Sequence, residues 1–256
     1  MILTTEAIVL ASQKYGDSSK IATLFTEDFG IMKAIAKGSY QMKNKFGSSL
    51  QVLSYININF YNKPEGHLQL LSNAEIIRPN FNLSKSFEHI TIGFALCETI
   101  LKTLDEHYKN SQIFLKLVQS LNLLDSLPQY PFNILIKFLL DLAKILGFEI
   151  SIINDESIES IHELIDKSSS KKINHNYTLN IENGNFKITN FSANNNTIEQ
   201  DLLKKIYEIN ILPISEIEDI EISIPEMNKI MNLMSKYYHF HLDKYFYLES
   251  MRLLLQ

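Results

Sequence analysis

The sequence predicts an α+β protein in which a small barrel of five short strands is followed by an α-helical bundle that carries an inserted β-hairpin. Apolar residues alternate with a period of two up to about residue 77, and after Pro79 they recur at helical spacing. An asparagine-rich segment between residues 150 and 200 then interrupts the helical pattern with two short strand signals. These three observations indicate the class.

The predicted strands are short and are separated by turn residues. The first contains Ala7, Val9 and Ala11, and the others cover about residues 21–26, 31–37, 50–61 and 67–77. Glycines at positions 30, 38 and 66 fall in the predicted turns. Five strands in so short a stretch suit an OB-type β-barrel, the commonest small barrel that binds nucleic acid. We therefore predict an OB-fold nucleic-acid-binding domain over residues 1–80.

The predicted helices begin and end at residues that favour helix termini, such as Ser84 or Ser86 before the first helix and Gly147 after the third. They cover about residues 84–107, 111–124, 131–146, 198–209 and 225–240, with a short closing segment at 248–255. Residues 131–146 are apolar almost all round, which is typical of a central helix. We therefore predict a helical domain over residues 81–256.

The segment over residues 150–198 is predicted to be an insertion in the helical domain. Nine asparagines fall between Asn174 and Asn196. Residues 177–181 and 186–188 flank Asn183 and Gly184, a pair of residues that favours a tight hairpin turn. Two short strands are not stable alone, so the hairpin must either pack on the helices or move freely.

The composition excludes several classes of protein. The 256 residues include one cysteine, Cys97, which excludes an intramolecular disulfide and a cysteine-built metal site. No run of eighteen apolar residues occurs, and residues 1–6 lack the pattern of a secretion signal. We expect a cytoplasmic protein with no membrane association and no cofactor.

Charge is distributed unevenly along the chain. Residues 1–80 carry a net charge of +2, whereas residues 81–256 carry −7. Residues 29–64 contain five lysines with interleaved aromatic residues and no aspartate or glutamate. Such a surface can follow a phosphate backbone and stack bases. The alternative is that these lysines only keep exposed strand faces soluble.

Tyr40 is the best stacking candidate among the aromatic residues. It lies in a polar loop beside Lys37 and Lys43, with no apolar partner in phase. Phe25, Phe46 and Phe60 fall where the core of a barrel would need them, so core packing is the favoured role for them. Core packing and stacking remain equal alternatives for Tyr40.

No catalytic or metal-binding pattern is evident. His239, His241 and Asp243 are spaced by two, which on a helix turns side chains about 200° apart, so a structural role is favoured over a metal site. The sequence has no glycine-rich phosphate loop, no nucleophile elbow and no paired acid motif. We therefore expect a protein that is not an enzyme.

A series of short motifs, in a fixed order, resembles the RecO family of bacterial DNA repair proteins, which are recombination mediators. The motifs are A-I-V-L at 7–10, K-Y-G-D-S-S-K at 14–20, L-F-T at 24–26, A-K-G at 36–38, K-F-G-S-S-L at 45–50, A-E at 74–75, L-G-F at 146–148, Y-Y-H-F-H-L at 237–242 and S-M-R-L-L at 250–254. No single motif is specific to the family. The order of the motifs, which spans nearly the whole chain, is specific to it.

The resemblance implies an OB domain, a helical domain and often a four-cysteine zinc ribbon, whose place here is taken by the cysteine-free hairpin. It also implies particular site residues. The implied DNA contacts are Lys33, Lys37, Lys43 and Lys45, together with Arg252 as the one basic residue kept in the closing motif. The resemblance places a partner-binding groove in the helical domain without assigning its residues, and we expect Lys137 and Lys144 of the central helix at its positive rim.

The function that the resemblance implies is not enzymatic. It comprises binding of single- and double-stranded DNA, annealing of complementary strands, binding to the acidic C-terminal tail of single-stranded-DNA-binding protein, and loading of RecA together with RecR. This activity implies a cytoplasmic, nucleoid-associated protein. The alternative is a protein-interaction scaffold of the repair machinery with little DNA affinity, because the acidic helical domain would repel DNA.

Overall fold

A computed structural model describes residues 1–41, 44–64, 67–151, 176–189 and 196–255. The chain forms two compact units. Unit 1 comprises Met1–Pro131 and Glu249–Leu254, and unit 2 comprises Phe132–Leu248 and Leu255–Gln256. The change from strands to helices falls near residue 80, whereas the packing groups the first two helices with the strands. The domain limits given above stay a prediction.

Five strands of unit 1 close into a ring in the order β1-β2-β3-β5-β4. They are β1 Ile2–Tyr15, β2 Ser19–Thr26, β3 Gly30–Ala36, β4 Tyr55–Tyr61 and β5 Gln69–Arg78. All neighbours are antiparallel except β3 and β5, which pair in parallel through two residues. The predicted α+β class, with five N-terminal strands in an arrangement consistent with an OB-fold, is confirmed.

Alternation places one side of each strand in the core of the ring, where small residues allow close packing. Ala22 and Leu24 of β2 face this core together with Met32, Ala34 and Ala36 of β3. Each of these five side chains is buried. The period-two pattern in the sequence therefore reports the inner surface of the ring.

One strand begins later than predicted. Residues 50–54 form turns instead of extending β4, and Leu53 has a left-handed φ of 74°. Leu50 is nevertheless buried in the core of the ring. The end of the segment is bonded to β1, because Val9 exchanges two backbone hydrogen bonds with Leu53 and Ser54. The buried apolar residues of the segment meet a packing requirement within a turn, and this produces a pattern that is typical of a strand.

Two helices, α1 Phe87–Thr103 and α2 Ser111–Leu124, complete unit 1. The backbone N–H of His89 donates to the Ser86 hydroxyl, which confirms Ser86 as the cap. The ring of Phe114 packs edge-to-face against Phe25 and Tyr55 at 5.7 and 6.3 Å between centroids. Tyr55 also donates its hydroxyl to Glu6, and desolvation by burial, followed by this bond, raises the pKa of Tyr55.

Helix α1 ends at Thr103, four residues before the predicted end at 107. Glu106 forms a parallel bridge with Ile31, and the backbone N–H of His107 donates to the Ile31 carbonyl at 3.0 Å. The chain between α1 and α2 therefore pairs with the part of β3 that β5 does not reach. Tertiary pairing overrides the helical pattern at this point.

Unit 2 contains three α-helices within its described residues: α3 Phe132–Ile145, α4 Gln200–Ile211 and α5 Ile224–Leu242. The Asn133 amide donates to the carbonyls of Ile217 and Ile220, both at 2.7 Å. The buried Tyr238 hydroxyl donates to the Leu139 carbonyl at 2.5 Å. These bonds tie α3 to α5 and to the chain that precedes it.

The predicted hairpin is present as β6 Asn176–Leu179 and β7 Phe186–Thr189. A third strand, β8 Thr197–Glu199, pairs with β6 on its other side, where the sequence predicts the start of a helix at about residue 198. Ile198 is buried opposite Tyr177 in this sheet. Residues 152–175 and 190–195 of the predicted insertion lie outside the described residues.

The start of α5 supports a prediction about pH. Ser223 and Glu226 form a capping box, in which Glu226 accepts from the Ser223 N–H and hydroxyl and from Lys205. Burial raises the pKa of Glu226, but these donors outweigh it, so the pKa lies below that of an ordinary glutamate. This stabilisation is present above the pKa of the unfolded state, about 4.3 for a glutamate, and is lost as the pH falls through the lower folded-state pKa.

We expect Glu226→Gln to destabilise unit 2 at neutral pH by about 1 kcal/mol. The difference from the unaltered chain should shrink as the pH falls below about 4.3 and through the lower folded-state pKa, because the glutamate itself is then protonated in the folded protein. Urea unfolding followed by circular dichroism across this range measures both effects. Glu208→Gln on the exposed side of α4 is the matched control, and an equal loss in both variants would contradict the prediction.

Candidate nucleic-acid interface

A cluster of two lysines around one tyrosine lies at one end of the ring in unit 1. The ammonium groups of Lys14 and Lys20 lie 5.8 and 5.1 Å from the centroid of the Tyr40 ring. Both distances are within the range of a cation–π contact. Tyr40 is 49% exposed, so the cluster is open to solvent. We call these three residues the lysine–tyrosine cluster.

Backbone geometry brings the three side chains together. Lys14 and Lys20 are directly opposed across the antiparallel β1–β2 pair, which turns at Gly16 with a left-handed φ of 59°. The loop after β3 then docks on this turn, because the backbone N–H of Tyr40 donates to the Ser18 carbonyl at 3.0 Å. Gly38, with a φ of 73°, provides the left-handed residue that redirects the chain from β3 into this loop.

The electrostatics of the cluster favour an anion. Like charges that face each other across a strand pair are destabilising, and Lys14 and Lys20 are such a pair. Within the described part of the chain neither lysine forms an ion pair. A phosphate placed between the two ammonium groups would remove the repulsion. The arrangement is therefore suited to binding a phosphodiester.

Two further predicted DNA contacts lie in the same part of the sequence. Lys37 follows β3 directly and is exposed, and it forms no ion pair with a described residue. Lys45 is also exposed, and its ammonium lies 5.3 Å from the centroid of the Phe46 ring. Phe46 itself is buried in the core of the ring. Lys43 lies outside the described residues.

Lys33 has a different environment from the one its sequence neighbourhood suggested. Its ammonium lies 2.6 Å from a carboxylate oxygen of Glu106, and both side chains are about half exposed. The stretch that lacks acids in the sequence therefore has an acid beside it in space. An exposed ion pair of this kind contributes only about 0–1 kcal/mol.

Arg252 lies in the closing 3-10 turn, Glu249–Leu253, which belongs to unit 1. The Glu98 carboxylate on α1 holds this turn, because it accepts from the backbone N–H groups of Glu249 and Ser250, both at 2.9 Å. Arg252 is exposed. The turn thus presents a cation on the surface of unit 1, and DNA contact by Arg252 stays a prediction.

The two lysines predicted to line a partner groove differ strongly. Lys137 is buried at 7% exposure, where its ammonium donates to the Asn210 carbonyl at 2.5 Å and lies 3.5 Å from Asp141. Lys137 therefore does not belong to an exposed rim. Its ammonium group instead contacts the Asn210 carbonyl and the Asp141 carboxylate inside unit 2. Lys144 is exposed and pairs with Glu149 at 2.9 Å, a hydrogen bond that raises the pKa of Lys144.

The histidines near the end of α5 have structural partners. His239 shares a hydrogen bond with the Lys244 carbonyl, and His241 with the Ile181 carbonyl, each at 2.9 Å. The His241 ring also stacks on Phe148 at 4.9 Å. No group of three residues suited to a metal ion occurs among the described residues. In the same part of the chain, no helix is long and apolar enough to cross a membrane.

Reasoning from the sequence missed Lys14 and Lys20. They lie outside the acid-free stretch and are separated from Tyr40 by twenty or more positions, so a linear charge count does not connect them. A signal was available, since Gly16 lies midway between two predicted strands. Pairing those strands across a three-residue turn at 16–18, which begins at Gly16, places the two lysines opposite each other.

Comparison with known proteins gives a consistent result along the chain. Residues 1–80 match the family described as Recombination protein O N terminal, and residues 84–250 match the family described as Recombination protein O C terminal. A relative named DNA repair protein RecO from Chloroherpeton thalassium is 25% identical over 95% of this chain and 94% of its own length.

Other relatives named DNA repair protein RecO match a shorter part of this chain. The protein from Salinibacter ruber is 34% identical over 57% of this chain and 56% of its own length, and that from a Thermoanaerobacter species is 32% identical over 57% and 58%. Because the two family matches together span both the ring and the helices, this chain belongs to the RecO family of DNA repair and recombination proteins.

Proposed function

We propose that this protein binds single- and double-stranded DNA through the lysine–tyrosine cluster and the neighbouring Lys37 and Lys45, and that it anneals complementary strands. The observation that supports this proposal is the opposed Lys14 and Lys20 pair, whose repulsion a phosphate would relieve. The Tyr40 ring holds both ammonium groups near one point. Stacking of a base on the exposed part of that ring stays a prediction.

Charge arithmetic indicates weak and reversible binding. Four lysines that neutralise about four phosphates give a log–log salt slope near −3 for a single strand. Such contacts exchange rapidly and carry no sequence information. Both properties suit an annealing protein, because two strands must slide into register before they pair. No catalytic step is part of the proposal.

The partners proposed for this chain follow from its family. They are RecR, the acidic C-terminal tail of single-stranded-DNA-binding protein, and indirectly RecA, which the protein would help to load onto single strands. On the same ground we propose that the protein is cytoplasmic and nucleoid-associated. Lys144 is the exposed member of the two lysines predicted for the tail-binding groove.

We expect Lys14→Ala combined with Lys20→Ala to lower the affinity for single-stranded DNA at least tenfold at low salt. Loss of two phosphate contacts should also flatten the salt slope by about 1.4. The decrease should be equal for unrelated sequences, since the contacts are to the backbone. Fluorescence anisotropy with labelled oligonucleotides at several salt concentrations measures the affinity and the slope together.

Lys33→Ala is the matched control for this experiment, because it removes the same charge from the same ring at a lysine that is already paired with Glu106. Its effect should be less than threefold or so. A double variant with an unchanged slope would contradict the proposed site. If the unaltered protein bound no oligonucleotide at low salt and still captured the tail peptide, the scaffold alternative would replace the DNA-binding proposal.

A further inference from the structure

A cleft of about 460 Å³ opens at the opposite end of β2 and β3 from the lysine–tyrosine cluster. A volume of this size is within the range of small-molecule sites. Three segments of unit 1 form its walls: the β2–β3 turn, the β4–β5 loop and the chain between α1 and α2. They contribute Asp28 and Phe29, Asn62, Lys63 and Pro64, and His107 and Lys109, while Met32, Phe60 and Gln69 lie at the base.

Hydrogen bonds fix each of the three walls. The Thr26 hydroxyl donates to the Gly30 carbonyl at 2.8 Å and accepts from the Phe29 N–H. The buried Gln69 side chain bonds both the N–H and the carbonyl of Lys63. The third wall is held by the bond from His107 to β3 described above. A cleft with fixed walls loses little conformational entropy when it binds a ligand.

The base of the cleft is aromatic and apolar. Phe29 packs edge-to-face on Phe60, with 5.4 Å between centroids and 85° between ring planes. Phe60 and Met32 are buried, whereas Phe29 is partly exposed and leaves ring surface accessible from the cleft. This surface is suited to a flat ring, which gains both apolar burial and an aromatic contact.

The rim of the cleft carries polar groups that can still form hydrogen bonds or ion pairs. Among the described residues, the Asn62 amide and the His107 ring have no hydrogen-bonding partner, and the Lys63 ammonium forms no ion pair. An asparagine amide can both donate to and accept from the edge of a nucleobase. An ammonium group at the rim is a suitable contact for a phosphate.

Among the described residues that line the cleft, the one carboxylate, Asp28, already has two partners. Asp28 accepts from the Thr5 hydroxyl at 2.9 Å and pairs with Lys109 at 3.3 Å. Lys109 therefore balances the charge of Asp28, and within the described lining of the cleft the Lys63 ammonium is left as a net positive charge. The cleft therefore combines an aromatic surface, a free hydrogen-bonding amide and a cation.

We propose that this cleft binds one nucleotide, with the base against Phe29, the base edge on Asn62 and the phosphate on Lys63. The same chemistry could come from a free nucleotide or from one residue of a DNA strand, and the strand is the source that rests on the proposed function. The eight residues of β2 span roughly 26 Å at about 3.3 Å per residue, so one strand could contact both ends of the ring. OB-fold domains bind about 4–16 nucleotides.

The test combines Asn62→Ala with Lys63→Ala in the full chain and uses two probes. One is deoxyadenosine monophosphate, titrated by calorimetry, and the other is a thymidine oligonucleotide that contains a single 2-aminopurine, whose fluorescence reports stacking. We expect about tenfold weaker binding of the nucleotide and loss of the 2-aminopurine signal. Asn57→Ala with Lys85→Ala, at exposed positions outside the cleft, is the matched control and should change neither.

A second variant, Asn62→Trp, should block the cleft while leaving the exposed strand end folded, and it should abolish the nucleotide titration. Unchanged binding of both probes by the alanine pair and by Asn62→Trp would overturn the proposal. The proposal for the lysine–tyrosine cluster and the proposal for the cleft can be contradicted independently of each other. If the double variant Lys14→Ala with Lys20→Ala loses oligonucleotide binding but still binds the nucleotide, both sites are supported. If the unaltered protein binds the nucleotide but no oligonucleotide, the cleft alone is supported.

Discussion

Replacing Gly30 with alanine is expected to destabilise unit 1 by about 2–5 kcal/mol. A Cβ atom at this position would lie 2.5 Å from the Tyr108 carbonyl oxygen and 2.8 Å from the His107 carbonyl carbon. These are backbone atoms, so they cannot move aside as a flexible side chain would. The residue also has a left-handed φ of 66°, which alanine adopts only at a cost of about 1–2 kcal/mol. Both effects act at the same residue.

The control for this variant is Gly16→Ala. Gly16 has a similar left-handed φ of 59°, but nothing lies within 4 Å of the position of its Cβ atom. It should therefore show the backbone cost alone, about 1 kcal/mol. Urea unfolding measures both values, and hydrogen exchange at the amides of β3 locates the loss. Equal destabilisation in the two variants would contradict the close approach of the α1–α2 chain to β3.

Lys137→Met is expected to destabilise unit 2 by about 3 kcal/mol. The substitution keeps the length and the apolar contacts of the side chain and removes the ammonium group. The Asn210 carbonyl then loses its donor, and the Asp141 charge loses the cation 3.5 Å away. A buried polar group without its partner is costly, because water cannot replace the lost contact.

Lys144→Met on the same helix is the matched control. Its side chain is exposed, so stability should change by no more than about 0.5 kcal/mol.

The two variants also distinguish a structural role of a lysine from a role in binding a partner. If Lys144 lines the predicted groove, Lys144→Met should weaken capture of the acidic tail peptide in a pull-down while the thermal midpoint stays unchanged. A stable Lys137→Met protein would contradict a structural role for that lysine.

Particular elements of the fold were predictable because their signals are local. Helix α2 has the predicted limits, residues 111–124, because Asn110 caps it and apolar residues follow at helical spacing. The strands of the ring were recognisable from alternation, and the hairpin from the turn at Asn183 and Gly184. In each case the residues that determine the structure are close neighbours in the chain.

The candidate site was predictable only in part. An excess of lysine in the first eighty residues and an isolated Tyr40 pointed to the correct region for a cation–π cluster. The lysines that contact Tyr40, however, are Lys14 and Lys20 and not those in the acid-free stretch. Lys33 in that stretch is paired with Glu106, seventy-three positions away along the chain. A count of charges along a sequence cannot detect a carboxylate that returns from so far.

The sequence alone determined the α+β class, the order of the five N-terminal strands and the helices along the chain, and the RecO family, because these depend on periodicity, caps and the order of motifs. Tertiary structure alone decided that Lys14 faces Lys20, that Lys137 is buried while Lys144 is exposed, and that α1 ends at Thr103. The physical reason is how far apart in the chain the interacting residues lie. Backbone conformation follows from neighbouring residues, whereas charge pairing and burial depend on strand register and on contacts between residues that are distant in the chain.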